Sequence, residues 1–168
     1  MKKENIIFDV FVEIPKNTRN KYEFDEKEKI IRLSRYITTP LSYPIDYGYI
    51  TKTLCIDGDP LDALIFLTDS TLTPCLVKAR PIGVLILDDN YIKDDKIICV
   101  PIYDPNYNNI KNIKEISDYK KKEIEYFFKN YKKFENKKVI IKKWDSVNKA
   151  IEIYKKSLNR YNKNKKIK

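Results

Sequence analysis

Between residues 6 and 102, β-branched and aromatic side chains come in short runs that proline and Asp/Asn/Gly turns keep interrupting. That pattern commits this part of the chain to many short strands. Residues 6–14 (Ile-Ile-Phe-Asp-Val-Phe-Val-Glu-Ile) are stopped by Pro15, and similar stretches recur near 20–24, 30–37, 47–56, 62–67, 75–88 and 96–102. Pro40, Pro44, Gly58-Asp59-Pro60, Pro74, Asp88-Asp89-Asn90 and Asp104-Pro105 punctuate them. Strands at this spacing predict a barrel or a sandwich. The period then changes. Ile124, Phe127, Phe128 and Tyr131 fall on one face of a helix that begins near Ser117 or Asp118. Residues 138–144 read as one more strand. Val147, Ala150, Ile151, Tyr154 and Leu158 repeat at helical spacing behind an N-cap at Asp145 or Ser146. Strands first and helices later predict an α+β fold with a β-barrel-like core. The Lys/Asn-rich stretch 159–168 is expected to fray, leaving residues 1–158 as the single domain.

Composition removes several chemistries. There is no histidine, which excludes Ser-His-Asp and Cys-His catalysis and any His-ligated zinc or haem. The three glycines (Gly48, Gly58, Gly83) are too few and too dispersed for a P-loop or a G-x-G-x-x-G turn. Cys55, Cys75 and Cys99 lack C-x-x-C spacing and are odd in number, so they read as reduced thiols in a cytoplasmic protein. No run of apolar residues is long enough to span a membrane. The formal charge of +10 is uneven, with 20 Lys/Arg against 7 Asp/Glu in residues 111–168. A basic third of this kind suits a polyanion partner. Yet Lys, Asn and Ile, all with A/T-rich codons, make up 68 of the 168 residues, so base composition alone accounts for much of it.

The most informative stretch is Asp57-Gly58-Asp59-Pro60-Leu61-Asp62, three acids around a turn. Carboxylates this crowded repel one another unless a cation neutralises them. Oxygen ligands without His or Cys point to a hard ion, Mg²⁺ or Mn²⁺. An EF-hand is excluded by spacing, because glycine stands second and position twelve is Thr68. A second acidic group, Asp88, Asp89, Asp94 and Asp95, is followed directly by Lys96. Two acidic segments meeting at one end of a barrel would make a multi-metal pocket of the kind that clamps a phosphoryl transfer. Lys21, Arg35 and the tyrosines of Tyr43-Pro44-Ile45-Asp46-Tyr47-Gly48-Tyr49 would supply donors to a phosphate-rich anion.

These residues, in this order, resemble the soluble family I inorganic pyrophosphatases. The resemblance rests on Glu13-Ile14-Pro15, Lys21-Tyr22-Glu23, Arg35, Tyr43-Pro44-x-x-Tyr47-Gly48-Tyr49, the Asp57–Asp62 element, Arg80-Pro81-Ile82-Gly83, Asp89 to Asp94-x-Lys96, and Tyr126-Phe127-Phe128 leading to Tyr131-Lys132. It implies a five-stranded OB-like β-barrel with additional strands and two flanking C-terminal helices, and Mg²⁺-dependent hydrolysis of pyrophosphate to two orthophosphates, with Mn²⁺ as a substitute. By the same resemblance Asp57, Asp62 and Asp94 would hold the activating metals, Asp62 bridging, and Asp59 would be the general base. Asp89 would join Asp94 around the metal that arrives with substrate, and Glu13 and Glu23 would sit in the outer metal and water network. Lys21, Arg35, Tyr47, Lys96, Tyr131 and Lys132 would bind the phosphates. A homo-oligomer, a hexamer at this length, is expected. Two departures stand out. Ile92-Lys93 replaces a Gly-Glu pair before Asp94, and Asp46 adds an acid near the pocket where Asn is common. The competing expectation is an OB-like binder of single-stranded nucleic acid. It leaves the acids at 57, 59, 62, 89 and 94 without a purpose, since metal-free they would repel phosphate.

Overall fold

The computed structural model describes residues 5–166. Nine strands and two helices follow one another as β1 (Phe8–Ile14), β2 (Asn20–Asp25), β3 (Ile30–Tyr36), β4 (Asp46–Ile50), β5 (Leu61–Ile65), β6 (Cys75–Asp89), β7 (Ile92–Lys93), β8 (Lys96–Pro101), α1 (Asp118–Asn130), β9 (Val139–Asp145) and α2 (Val147–Lys165). Five strands close a ring in the order β1-β4-β5-β8-β6, with β6 returning to pair with β1. The closure depends on β6. Its first residues, Cys75–Ala79, run against β1, and from Ala79 to Leu85, across a bulge between Pro81 and Gly83, it runs against β8. A bulge bends and twists its strand, which lets one long strand serve two sides of a ring. From Val84 to Asp89 the edge of β6 takes β9, and its end takes the two-residue β7. The α+β class and the OB-like ring follow the sequence.

Alternate residues of β5 and β8 feed two apolar clusters. Ala63, Ile65, Ile97 and Cys99 join Val10, Val12 and Ala79 in one, against which Ala150, Ile153 and Tyr154 of α2 pack. Leu64, Ile98 and Val100 join the other, with Ile124, Phe127 and Phe128 of α1. All six residues of β8 are buried, and the five after Lys96, Ile97–Pro101, read as a continuous apolar run for this reason. Both helices start on serine. The Ser117 hydroxyl accepts from the Lys120 N–H, and the Ser146 hydroxyl from the Lys149 N–H.

Two expectations are corrected. The strand expected over 47–56 stops at Ile50, because Lys52 turns into the left-handed region (φ 58°) and residues 51–60 form a loop. The stretch expected to fray from Asn159 is helical to Lys165. Arg160 there donates to the Leu54 carbonyl, and Lys163 and Lys165 lie in the last turn, where cations complement the helix dipole. Residues 167–168 lie outside the described residues. The hairpin β2–β3 is a separate two-stranded sheet.

Gly48 of β4 sits opposite Val12 of β1 with no room for a side chain. A Cβ built on it would lie 1.9 Å from the Phe11 carbonyl oxygen. Gly48→Ala should therefore cost about 3 kcal/mol or more, at the upper end for overpacking. Gly58→Ala, whose Cβ would meet nothing within 4 Å at φ +96°, should cost about 1 kcal/mol from backbone strain alone. Urea denaturation of the two variants checks the order.

Candidate active site

The loop between β4 and β5, the β6–β7 turn and the start of β8 open onto one cleft of about 1390 Å³ at an end of the barrel. The parallel pairing of β5 with β8 brings this about. In a sheet otherwise built from antiparallel pairs, these two strands start on the same rim, so Asp62 and the Asp94–Lys96 segment emerge side by side. Twelve of the thirteen residues singled out in the sequence line the cleft: Glu13, Lys21, Glu23, Tyr47, Asp57, Asp59, Asp62, Asp89, Asp94, Lys96, Tyr131 and Lys132. Arg35 does not. Its guanidinium is held on Glu135 at 2.5 Å.

Lys96 is the hub. Only 3% of its side chain is exposed, and its ammonium contacts both Asp62 and Asp94 (2.6 Å to Asp94 Oδ1). Tyr47 donates its hydroxyl to the same Asp62 oxygen at 2.6 Å. Burial alone would favour a neutral Lys96, but the two carboxylates override it and hold its proton well above the ordinary range. Burial pushes Asp94 up, with Lys96 pulling the other way and the Asp62 charge adding to the push. The Tyr47 phenol is driven well above its usual value by burial and by Asp62 and Asp94, so it remains a donor. A second pairing mirrors the first. Lys132 is ion-paired with Asp89, and its ring neighbour Tyr131 is likewise kept protonated by burial and the Asp89 charge. Asp62, Asp94 and Asp89 are thus answered by the ammonium groups of Lys96 and Lys132.

The acidic loop itself is mostly exposed. Its turn is closed by the Cys55 N–H on the Asp59 carbonyl (2.7 Å) and by the Asp59 N–H on the Asp57 carboxylate (3.1 Å). Burial raises the Asp59 carboxyl, and the charges of Asp57 and Asp62 raise it further.

A family model described as inorganic pyrophosphatase matches residues 10–162. The chain belongs to that family. It is 46% identical over 154 residues to an inorganic pyrophosphatase of Corynebacterium glutamicum (91% of this chain, 97% of the relative). It is 39% identical over 158 residues to one of Methanosarcina mazei (94% of each). A crystal structure of inorganic pyrophosphatase from Thermus thermophilus superposes with a TM-score of 0.90 at 33% identity, covering 96% of this chain and 94% of that one.

Inorganic pyrophosphatases are metal-dependent, and the residues fit a hard cation. The donor set is all oxygen, and Asp89 Oδ1 is buried without a hydrogen-bond partner. Among the described residues no three acidic side chains close on a common point, because ammonium groups stand between them. The Ile92-Lys93 departure forms the short strand β7. Asn90 and Tyr91 both take positive φ (50° and 68°) and make a tight two-residue hairpin without glycine, while Lys93 pairs with Asp95 at 3.1 Å. Asp46 points away from Tyr47 to the other side of β4. Fully buried, it accepts from Ser70 and Thr71, so it anchors a loop rather than adding an acid to the cleft. Sequence reasoning missed one wall. Lys149, Lys156, Ser157, Arg160 and Lys165 of α2 line the cleft beside the acidic loop. Lys149, Lys156 and Arg160 recur at intervals of seven and four, which puts them on one helix face and was the available signal.

Glu13 gives the site a pH signature. It accepts from the Phe24 N–H at 2.7 Å, yet burial pushes its carboxyl from 4.5 up to about 7. Between those values the folded chain holds a proton that the unfolded chain has released, so metal-free stability falls as pH rises through that window. The fall should be about 3 kcal/mol at most. Glu13→Gln should abolish that part of the decline and be the more stable protein at pH 8, as urea titrations at pH 4.5, 6 and 8 without metal would show.

Proposed function

We propose that this chain hydrolyses inorganic pyrophosphate to two orthophosphates, using Mg²⁺ held on the carboxylates of the cleft. Family membership and the convergence of Asp57, Asp59, Asp62, Asp89 and Asp94 with Lys21, Tyr47, Lys96, Tyr131 and Lys132 support this reading. Asp57, Asp62 and Asp94 would hold two ions, Asp62 serving both, and Asp89 with Asp94 would hold one arriving with substrate. Glu13 and Glu23 would order the surrounding water. When bound, such ions acidify the attacking water and neutralise charge on the phosphates. Mn²⁺, which favours similar ligands, would substitute.

The protein's own groups do the rest. Asp59, its carboxyl made more basic by burial and by Asp57 and Asp62, takes the proton from the attacking water. As that oxygen bonds one phosphorus, the bridging P–O bond breaks and its electron pair leaves with the other phosphate. Lys21, Lys96, Lys132 and the phenols of Tyr47 and Tyr131 bind the phosphoryl oxygens and offset their developing charge. Arg35 joins them on leaving Glu135. No histidine is required, because Asp59 takes the proton from a water that bound metal would acidify. The same reading carries a cytoplasmic location and a homo-oligomer, a hexamer at this chain length. Among the described residues no helix is long and apolar enough to cross a membrane.

Phosphate release should appear with pyrophosphate and Mg²⁺ and vanish with chelator. Asp59→Asn should lower kcat by about 10²–10⁴ with the melting temperature within a few degrees of wild type. A protein that releases no phosphate under any divalent cation, yet retains single-stranded oligonucleotides in a salt-dependent way, would instead be the nucleic-acid binder.

A further inference from the structure

The tip of the acidic loop has little packing to hold it. Residues 56–60 are exposed, and Ile56, its only apolar side chain besides Pro60, is 86% accessible. Electrostatics works against it as well, since Asp57 and Asp62 both act on Asp59 with like charge. The turn's own hydrogen bonds hold Asp57 and Asp59 relative to each other, and the direction of the tip as a whole is set lower down, at the neck. There Thr53 is buried, donates to the Ile50 carbonyl at 2.5 Å and accepts from the Leu61 N–H at 2.9 Å, tying the two ends of the loop together. That fixes the loop's width but not its tilt.

The tilt is fixed from α2. The Leu54 N–H donates to the Ser157 carbonyl at 3.1 Å, and Arg160 Nη1 donates to the Leu54 carbonyl at 3.0 Å. Both polar groups of one loop residue are thus captured by the same helix, three residues apart. Ser157 is buried, and its hydroxyl lies 3.8 Å from the Cys55 sulfur, so the next residue of the loop also rests on the helix. The helix is itself seated in the barrel through Ala150, Ile153 and Tyr154, the last with its ring 5.2 Å from Phe8. We propose that Arg160 is a positioning residue. Through the Leu54 carbonyl it transmits the rigidity of α2 to the loop, and so sets the aim of Asp57 and Asp59 into the cleft. Its planar guanidinium suits a fixed acceptor better than a lysine ammonium, which rotates about a flexible stem.

This inference rests on the metal-dependent reading above. Groups that orient metal ligands without touching the metal are commonly worth ten- to a hundredfold in affinity. Arg160→Met keeps the aliphatic stem and removes the donor. By isothermal titration calorimetry on the full chain it should bind Mg²⁺ about tenfold more weakly than wild type. Its kcat should fall while KM for pyrophosphate at saturating Mg²⁺ stays within about twofold. Arg160→Lys, which retains one donor, should recover most of the affinity, and the metal-free melting temperature of both should remain within a few degrees of wild type. A milder variant, Arg160→Gln, covers the case in which the Met variant folds poorly. Wild-type Mg²⁺ affinity and kcat in the variants, or a lower melting temperature with unchanged metal affinity, would reduce Arg160 to a structural contact and overturn the proposal. A wild-type protein that neither binds Mg²⁺ nor releases phosphate would instead remove the parent reading, and this one with it.

Discussion

Like charges brought together at one end of a barrel are the condition everything else answers to. Asp57, Asp59, Asp62, Asp89 and Asp94 line a single cleft. Isolated carboxylates in such a setting would protonate or push the loops apart. The protein's internal answer is the buried ammonium of Lys96 between Asp62 and Asp94, and that of Lys132 on Asp89. Removing one member of such a buried pair costs far more than the pair contributes, because the remaining charge is left alone. The acids and the lysines are for this reason a unit. The groups that would offset substrate charge are the same groups that make a metal-free cleft tolerable.

The barrel exists, in functional terms, to bring about this meeting. Parallel strands β5 and β8 put two loop ends on one rim, and the bend of β6 carries Asp89 to the same place. Tyr47 reaches Asp62 across the β4–β5 pair, where the period of two that buries Asp46 and Gly48 turns Tyr47 toward the cleft. At the far side, α1 delivers Tyr131 at its C-cap, stacked 5.0 Å from Phe127, and Lys132 directly after it. Fold and site are held by the same contacts at these points.

Much of this was legible in the residues. Proline and glycine punctuation located the strands, serines located both helix starts, and the spacing of Asp57, Asp59 and Asp62 pointed to the cleft that they line. What escaped was set by contacts distant in sequence. Nothing between 51 and 56 says that the chain leaves the sheet there. The decision lies in Thr53 closing on Leu61 and in α2 capturing Leu54. The Lys/Asn-rich tail looks uncommitted by composition, yet Arg160 finds a carbonyl 106 positions away and the helix runs on. Arg35 reads as a phosphate ligand from its neighbours, but Glu135, a hundred residues on, holds it in this structure. Asp46 shows the same limit, since only the pleat tells which of two adjacent polar side chains faces inward.

The β2–β3 hairpin brings a different kind of freedom. It hangs over the cleft as a sheet of its own, with no ladder to the ring, and it carries Lys21 and Glu23. Its attachment includes the Phe24 amide on Glu13 and the ring of Phe24 against Phe11. An element joined through side chains and not through a ladder can drift in sequence, tilt or lengthen while the closed ring behind it stays intact. Evolution can therefore adjust the side chains presented on that side without renegotiating the architecture that organises the acids.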